Sequence, residues 1–331
     1  MRGFGEGGFL LLGLCNYIMN QMDKQNRIDG LREAGESGDL ERVRALLKAA
    51  FCEKADGVTA LQVAAALGEV EAARMLLDAG DDVMGKAKLL VKEDGILAGV
   101  DFAKMIFNYV DPEMEVEVLI EDGTPVKYGD IAFYVTGKSQ SILKAERVVL
   151  NSMQRMSAIA TKTSEFMKLV EGTKAKILDT RKTTPGIRAI EKWAVKIGGG
   201  ENHRFALYDM IMLKDNHIDF AGGITQAINK TKQYLKDENK GLKIIVEARD
   251  LNEIAEILAN DGVYQILIDN FNFEDTKKAV AMINGKCFAE SSGNINEKTI
   301  REYANCGVDF ISSGALTHSV YNMDLSLKAV L

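Results

Sequence analysis

From Lys176 to the C terminus, short apolar runs end repeatedly in polar residues: Ile177 to Thr180, Ala194 to Ile197, Met210 to Leu213, Ile244 to Val246, Ile266 to Ile268, Cys287 to Ala289 and Val308 to Ile311. Their length and β-branched content read as strands. Stretches with helical spacing separate most of them, as in Leu251 to Leu258, Phe273 to Met282 and Glu297 to Cys306. Strand then helix, repeated, predicts a parallel sheet or barrel. The residues that close the later runs, Glu247, Asp269, Ser291 and Ser313, follow one another at intervals of 22, which fits one βα unit. In a closed βα barrel all strands open their C-terminal ends on one face, so these residues are expected to meet Arg181, Lys182 and Lys214 at a single mouth.

Upstream, the pattern over 84–150 reads as a compact α/β sandwich. Lys86 to Lys92, Met114 to Ile120 and Asp130 to Thr136 alternate or run apolar as strands, and Ala103 to Asn108 has helical spacing. Asp122-Gly123 and Tyr128-Gly129-Asp130 give EDGTPVKYGD the look of a hairpin. Similar strings occur in lipoyl-type modules, but the lysine expected at the turn is absent. Ser139 to Val170 reads as a long helix with a break near Ser157.

Residues 28–83 have another character. DGLREAGESGDLERVRALLKAA is followed by DGVTALQVAAALGEVEAARMLLDAGDDV, with Gly38 and Gly68 in matching places. The second copy, from Asp56-Gly57 to Ala79-Gly80, resembles an ankyrin repeat, whose usual period is about 33 residues. Such units are stable only when stacked on neighbours. The segment therefore fits either a partner-binding surface or a helical appendage docked on the rest. Residues 1–27 read as a leader, since the apolar run Phe9 to Leu14 is too short to span a bilayer and lacks a cleavage signature.

Composition narrows the function classes. The chain has 331 residues, 47% hydrophobic and 27% charged, with a formal net charge of −7. That is ordinary for a soluble globular protein and argues against a nucleic-acid coat. Cys15, Cys52, Cys287 and Cys306 lie far apart without metal-binding spacing, as expected of reduced thiols in a cytoplasmic protein.

Against this acidic balance, Arg181, Lys182, Arg188, Lys192, Lys196, His203, Arg204, Lys214 and His217 crowd one segment. A local cationic excess suggests an anionic ligand. Arg181, Lys182, His203, Arg204 and Lys214 suit a small polycarboxylate, because a guanidinium forks onto carboxylate oxygens. Glu247 and Asp269, at neighbouring strand ends, suit Mg²⁺ carrying phosphate oxygens. The loops Ser291-Ser292-Gly293-Asn294 and Ser312-Ser313-Gly314 fall where barrels bind phosphate through backbone N–H groups. Plainer roles also fit: a Glu247–Arg249 surface pair, helix caps at Lys214-Asp215 and Asp269-Asn270, and a buried, hydrogen-bonded His318. Arg147, beside Glu146, fits a solvated helix charge.

The strings ILDTRKTTPGIR, KWAVKIGGGENHRFALYDMIMLKDNHI, IIVEAR, ILIDN, ESSGNI and GVDFISSGALTHS closely resemble nicotinate-nucleotide pyrophosphorylase, the quinolinate phosphoribosyltransferase family, over about residues 84–331. The resemblance implies a sandwich domain (84–150) followed by a seven-stranded βα barrel (151–331). It also implies transfer of phosphoribosyl from phosphoribosyl pyrophosphate to quinolinate with decarboxylation, dependent on Mg²⁺. Carried over by motif, Arg181, His203, Arg204 and Lys214 bind quinolinate, and Lys182 lies between the two substrates. Glu247 and Asp269 serve the Mg²⁺ and ribose side, while Ser292, Gly293 and Gly314 serve the phosphates. Lys182, Lys214, Glu247 and Asp269 are the expected catalytic set. Arg147, in the string AER, resembles the arginine that reaches a neighbouring subunit's site, which implies a homodimer or larger assembly.

The front departs from the family pattern. An acidic, Gly-rich string of the form EDIGxGDxT has no counterpart before Gly85, and the ankyrin-like sequence stands there instead, with a seam near Asp81 to Gly85. The alternative function is accordingly an ankyrin-like partner-binding protein whose barrel is idle. A related transferase acting on another pyridine or nucleobase acid is a further enzyme alternative.

Overall fold

The computed structural model describes residues 84–330 and, ahead of them, Gly30, Glu33, Ala34, Ser37, Asp39 and Arg42. The repeat-like pattern of 28–83 and the leader of 1–27 otherwise lie outside the described residues.

A first sheet is built from β1 (Met84–Val91), β3 (Glu115–Val118), β5 (Ile131–Lys138) and β12 (Leu325–Ala329), in the order β12-β1-β5-β3. β1 pairs antiparallel with both β12 and β5. Alternation along β1 and β5 buries Leu89, Val91, Phe133 and Val135 under α1 (Val100–Val110), where Phe107 meets Phe133 edge to face at 6.0 Å. The last strand thus belongs to the first sheet, not to the barrel expected over 151–331. Nor does EDGTPVKYGD form its own hairpin: β4 (Pro125–Val126) pairs instead with β2 (Gly95–Ile96).

α2 (Ser139–Leu169) is 31 residues long and unbroken. It runs past residue 150 and packs on both hydrophobic cores, with Val149 and Met153 in the first and Met156, Ile159 and Phe166 in the second. The break expected at Ser157 is absent because its hydroxyl has a tertiary use. Ser157 Oγ accepts from the Ala98 N–H at 2.9 Å and donates to the Ala98 carbonyl at 3.1 Å, and Thr161 Oγ1 accepts from the Ile96 N–H at 2.8 Å. These polar residues lash the β2 loop to the helix instead of ending it.

The second sheet is parallel: β6 (Lys176–Leu178), β11 (Phe310–Ser312), β10 (Phe288–Ser292), β9 (Gln265–Asp269), β8 (Ile244–Ala248) and β7 (Ile211–Leu213), in that order. Helices α3 (Arg188–Ile197), α4 (Asp215–Ala221), α5 (Ile224–Asp237), α6 (Leu251–Leu258), α7 (Phe273–Ile283), α8 (Ile300–Asn305) and α9 (Ala315–His318) connect the strands or follow them. Six of the seven expected strands are present. The seventh, Ala194 to Ile197, is helical, since its apolar residues continue a 3.6-residue stripe in which Glu191, Ala194 and Val195 are all buried. The place beside β6 is taken by a single bridge from Glu201 to Leu178. Among the described residues no helix is long and apolar enough to cross a membrane.

Candidate functional site

Strand parity decides which side chains enter the barrel. In β9, Ile266 and Ile268 join the outer core, while Leu267 and Asp269 face the interior. In β8, Ile244, Val246 and Ala248 go outward, leaving Glu247 to face inward. The floor is apolar, formed by Met210, Met212, Ile245 and Leu267. Above it opens a cavity of about 820 Å³ at the C-terminal ends of the strands.

Lining it are Arg181, Lys182, His203, Arg204, Lys214, Glu247, Asp269, Ser292, Gly293, Ser313 and Gly314, so the structure brings together the expected residues of the barrel mouth. Ser291 departs from the expectation: it is 1% exposed and points away, its Oγ without a partner, whereas its neighbours Glu290 and Ser292 face in. The 22-residue interval counts βα units but does not fix the side of the sheet. Arg147 is not a lining residue; its side chain is 73% exposed and pairs with Glu146 at 3.2 Å.

The cations occupy one wall. Arg204 is buried and donates to the Met210 carbonyl at 3.2 Å. Burial and the nearby Arg181 both work against its charge, pulling its pKa below the usual guanidinium value. Two guanidinium groups held this close favour an anion between them. His203 closes the wall with both ring nitrogens engaged. Nδ1 accepts from the Arg204 N–H at 2.7 Å, which leaves the Nε2 proton directed at Glu290 Oε2, 3.3 Å away.

Beneath this wall lies a buried ion pair. Lys192, counted with the segment's cations, turns away from the cavity and meets Asp179. Lys192 Nζ donates to the His203 carbonyl at 3.0 Å, and Asp179 Oδ1 accepts from the His203 N–H at 2.8 Å. The Asn202 amide donates to Asp179 Oδ2 at 2.7 Å. Burial raises the Asp179 pKa and lowers that of Lys192, each opposed by the partner's charge. The pair holds the backbone from which His203 and Arg204 project. Arg188 and His217 serve structure too, Arg188 Nε donating to Thr183 Oγ1 at 3.0 Å and His217 Nδ1 accepting from the Lys214 N–H at 3.0 Å.

Carboxylates and small loops complete the lining. Glu247 Oε2 lies 3.5 Å from Lys214 Nζ, while Arg249 pairs with Asp219 and Glu253, so no Glu247–Arg249 pair forms. Burial raises the Glu247 pKa first, Lys214 opposes it, and Asp269 raises it further; burial likewise raises that of Asp269. Asn270 donates from Nδ2 to Asp269 Oδ2 at 2.7 Å. Asn270 and Gly293 both have left-handed backbones, at φ 58° and 93°, and a Cβ on Gly293 would collide with Asn270 Oδ1. Gly314 is similarly confined, with His318 Nε2 and Lys182 Cδ within 2.8 and 3.0 Å of a would-be Cβ. His318 itself is exposed at the rim.

Asn294 of the expected phosphate loop lines the cavity too, as do Glu290 and Asn270, which were not legible as site residues. Parity from Ser292 places Glu290 inward, and ILIDN sets Asn270 beside Asp269, but neither signal distinguishes a site from a turn. Among the described residues no cluster of three or more His, Cys, Asp or Glu forms a metal cage. Glu247 and Asp269 remain as two hard oxygen donors facing open space.

Comparison with known proteins gives two family matches. Residues 64–157 match the N-terminal domain of quinolinate phosphoribosyl transferase, and residues 159–328 match its C-terminal domain. Over 261 residues the chain is 46% identical to nicotinate-nucleotide pyrophosphorylase [carboxylating], chloroplastic, of Arabidopsis thaliana, covering 75% of this chain and 74% of that protein. It is 39% identical over 250 residues to a probable nicotinate-nucleotide pyrophosphorylase of Synechocystis, 74% and 83% being covered. Among solved structures, the nicotinate-nucleotide pyrophosphorylase from Francisella tularensis superposes with a TM-score of 0.71 at 36% identity, covering 88% of this chain and 97% of that one. NadC from Streptococcus pyogenes gives 0.70 at 37%, covering 76% and 88%.

Proposed function

The chain belongs to the quinolinate phosphoribosyltransferase family, and from that premise we propose that it transfers phosphoribosyl from phosphoribosyl pyrophosphate to quinolinate with loss of carbon dioxide, giving nicotinate mononucleotide and pyrophosphate for NAD biosynthesis. The observation that carries this reading is one cavity with two chemistries, the cations Arg181, Arg204 and Lys214 together with carboxylates and small-residue loops.

Arg181, Arg204 and Lys214 take the two carboxylates of quinolinate, with His203 holding the Arg204 N–H and closing the wall. Ser292, Gly293 and Gly314 bring backbone N–H groups to the phosphates. Lys182, against Gly314, stands between the two substrates. As pyrophosphate leaves, C1′ becomes oxocarbenium-like and negative charge grows on the leaving oxygens. The site therefore works mainly by alignment and charge, Lys182 stabilising the leaving group while the quinolinate nitrogen approaches in line. Glycosylation makes that nitrogen a pyridinium, whose positive charge stabilises the electron pair left at C2 as the 2-carboxylate departs as carbon dioxide; a proton from solvent water then takes its place, so no strong protein base is required.

Glu247 and Asp269 form a donor set that fits Mg²⁺, because two carboxylates leave the remaining positions to water and phosphate oxygens. Held there, Mg²⁺ would supply charge neutralisation for pyrophosphate. Arg147, exposed and outside the cavity, is assigned to the site of a second copy, with the dimer as the minimal active unit.

Incubation of the purified protein with quinolinate, phosphoribosyl pyrophosphate and Mg²⁺ is expected to yield nicotinate mononucleotide. A folded dimer that forms none would overturn the reading.

A further inference from the structure

Lys182 and Gly314 lie on separate loops, and the contacts that press them together come from outside the cavity. Lys182 is in the loop after β6, and Gly314 opens α9. Thr317 joins the two, its Oγ1 donating to the Lys182 carbonyl at 2.9 Å. Behind Thr317 stands Arg155 of α2. Its Nε and Nη2 converge on Glu191 Oε1 at 2.9 and 2.8 Å, Nη2 donates also to the Thr317 carbonyl, and Nη1 reaches the Val320 carbonyl at 3.4 Å. The other Glu191 oxygen accepts from the Thr184 N–H at 2.9 Å. Glu191 is wholly buried and the Arg155 side chain is 17% exposed.

The two charges together tie both loops: Glu191 takes the N–H of Thr184, two residues beyond Lys182, and Arg155 takes the carbonyls at 317 and 320 and reaches Thr184 Oγ1 at 3.5 Å. A planar guanidinium can serve a carboxylate and two carbonyls together, whereas an ammonium cannot span the same fork. His203 and Arg204 of the cationic wall hang from a different support, being fixed through Asp179 and Lys192. Arg155 and Glu191 share no hydrogen bond with that second pair.

We infer that Arg155 and Glu191 are a positioning pair for the phosphoribosyl side of the site, holding Lys182 against Gly314 and His318 without touching substrate. The inference rests on the function proposed above. Loosening the pair lets the two loops part, which weakens binding and alignment of phosphoribosyl pyrophosphate most, and leaves His203 and Arg204 of the dicarboxylate wall on their own support, while Arg181, next to Lys182, shares the looser loop.

Arg155→Lys keeps a positive charge beside Glu191 but loses the fork, and it is the informative variant; Glu191→Gln is its companion. Calorimetric titration with quinolinate alone, and with phosphoribosyl pyrophosphate plus Mg²⁺, is combined with steady-state kinetics and a melting curve. The expected result for Arg155→Lys is a fall in kcat/KM for phosphoribosyl pyrophosphate on the order of a hundredfold, as for displaced catalytic groups. Quinolinate affinity should fall by clearly less, because His203 and Arg204 keep their own support through Asp179 and Lys192. A purely structural role predicts native kinetics at a lowered melting point, or equal loss of both affinities, and either result overturns the inference. Wild-type protein that binds neither compound overturns the function reading itself, and the inference with it.

Discussion

Replacing Lys192 by Met tests the support beneath the cationic wall. Met fills the space of the alkyl stem but leaves Asp179 fully buried, with the His203 N–H and the Asn202 amide as its remaining donors, and it deprives the His203 carbonyl of Lys192 Nζ. Breaking a buried ion pair from one side costs about 3–5 kcal/mol, because the remaining charge stays desolvated. For a chain of this size each kcal/mol shifts the melting temperature by roughly 2–4 °C. Lys192→Met should therefore melt about 10 °C below wild type. The sign of the pH dependence follows from the raised Asp179 pKa, which loses its main opposing influence when Lys192 goes. A native carboxyl that holds its proton more tightly than the unfolded one gains stability as pH falls, so the deficit should narrow from about pH 8 toward about pH 5. Because burial works against both charges, Lys192→Met with Asp179→Leu should recover much of the melting temperature but not quinolinate binding, since the His203 N–H and carbonyl then lose their anchors. Thermal unfolding by circular dichroism at two pH values checks each step. A single variant that melts within about 2 °C of wild type, as neutral surface changes do, would refute the argument.

Other outcomes follow from the same geometry. Arg181→Ala should abolish measurable quinolinate binding while sparing that of phosphoribosyl pyrophosphate; titration of each ligand checks the split, and equal loss of both contradicts the assignment. Gly293→Ala forces a Cβ into Asn270 at a left-handed backbone position, a strain of about 1–3 kcal/mol, and should raise KM for phosphoribosyl pyrophosphate well above that for quinolinate. The raised pKa values of Glu247 and Asp269 mean that both carboxyls take up protons above the ordinary carboxylate range. The Mg²⁺ concentration for half-maximal rate should then climb as pH falls toward about 5; an Mg²⁺ requirement that is flat between pH 5 and neutrality, within about twofold, counts against these ligands.

Much of this protein was written in its pattern. Runs such as IIVEAR and ILIDN are strands because β-branched residues alternate between an outer core and an interior, and their polar ends follow from strand length. Arg181, Arg204, Lys214, Glu247 and Asp269 could be placed at one mouth because parallel strands joined by helices all end on the same side. Their motifs identified the family as well. Local pattern misled where a side chain's partner was distant in sequence. Ala194 to Ile197 looks like a strand but completes a helical stripe begun at Glu191, and Ser157 looks like a break but binds the backbone of Ala98, 59 residues away.

The sequence by itself determined the alternation of elements, the charged inventory of the mouth and the chemistry those charges suit. Tertiary structure alone decided which charges face substrate. Lys192 and Lys214 are both lysines of one cationic segment, yet the first is buried on Asp179 and the second lines the cavity. Ser291 and Ser292 are neighbours, yet only the second faces in. The physical reason is that desolvation and hydrogen bonding act on three-dimensional neighbours, and parity across a sheet is fixed by pairing with other strands. Composition and spacing along a single chain carry neither.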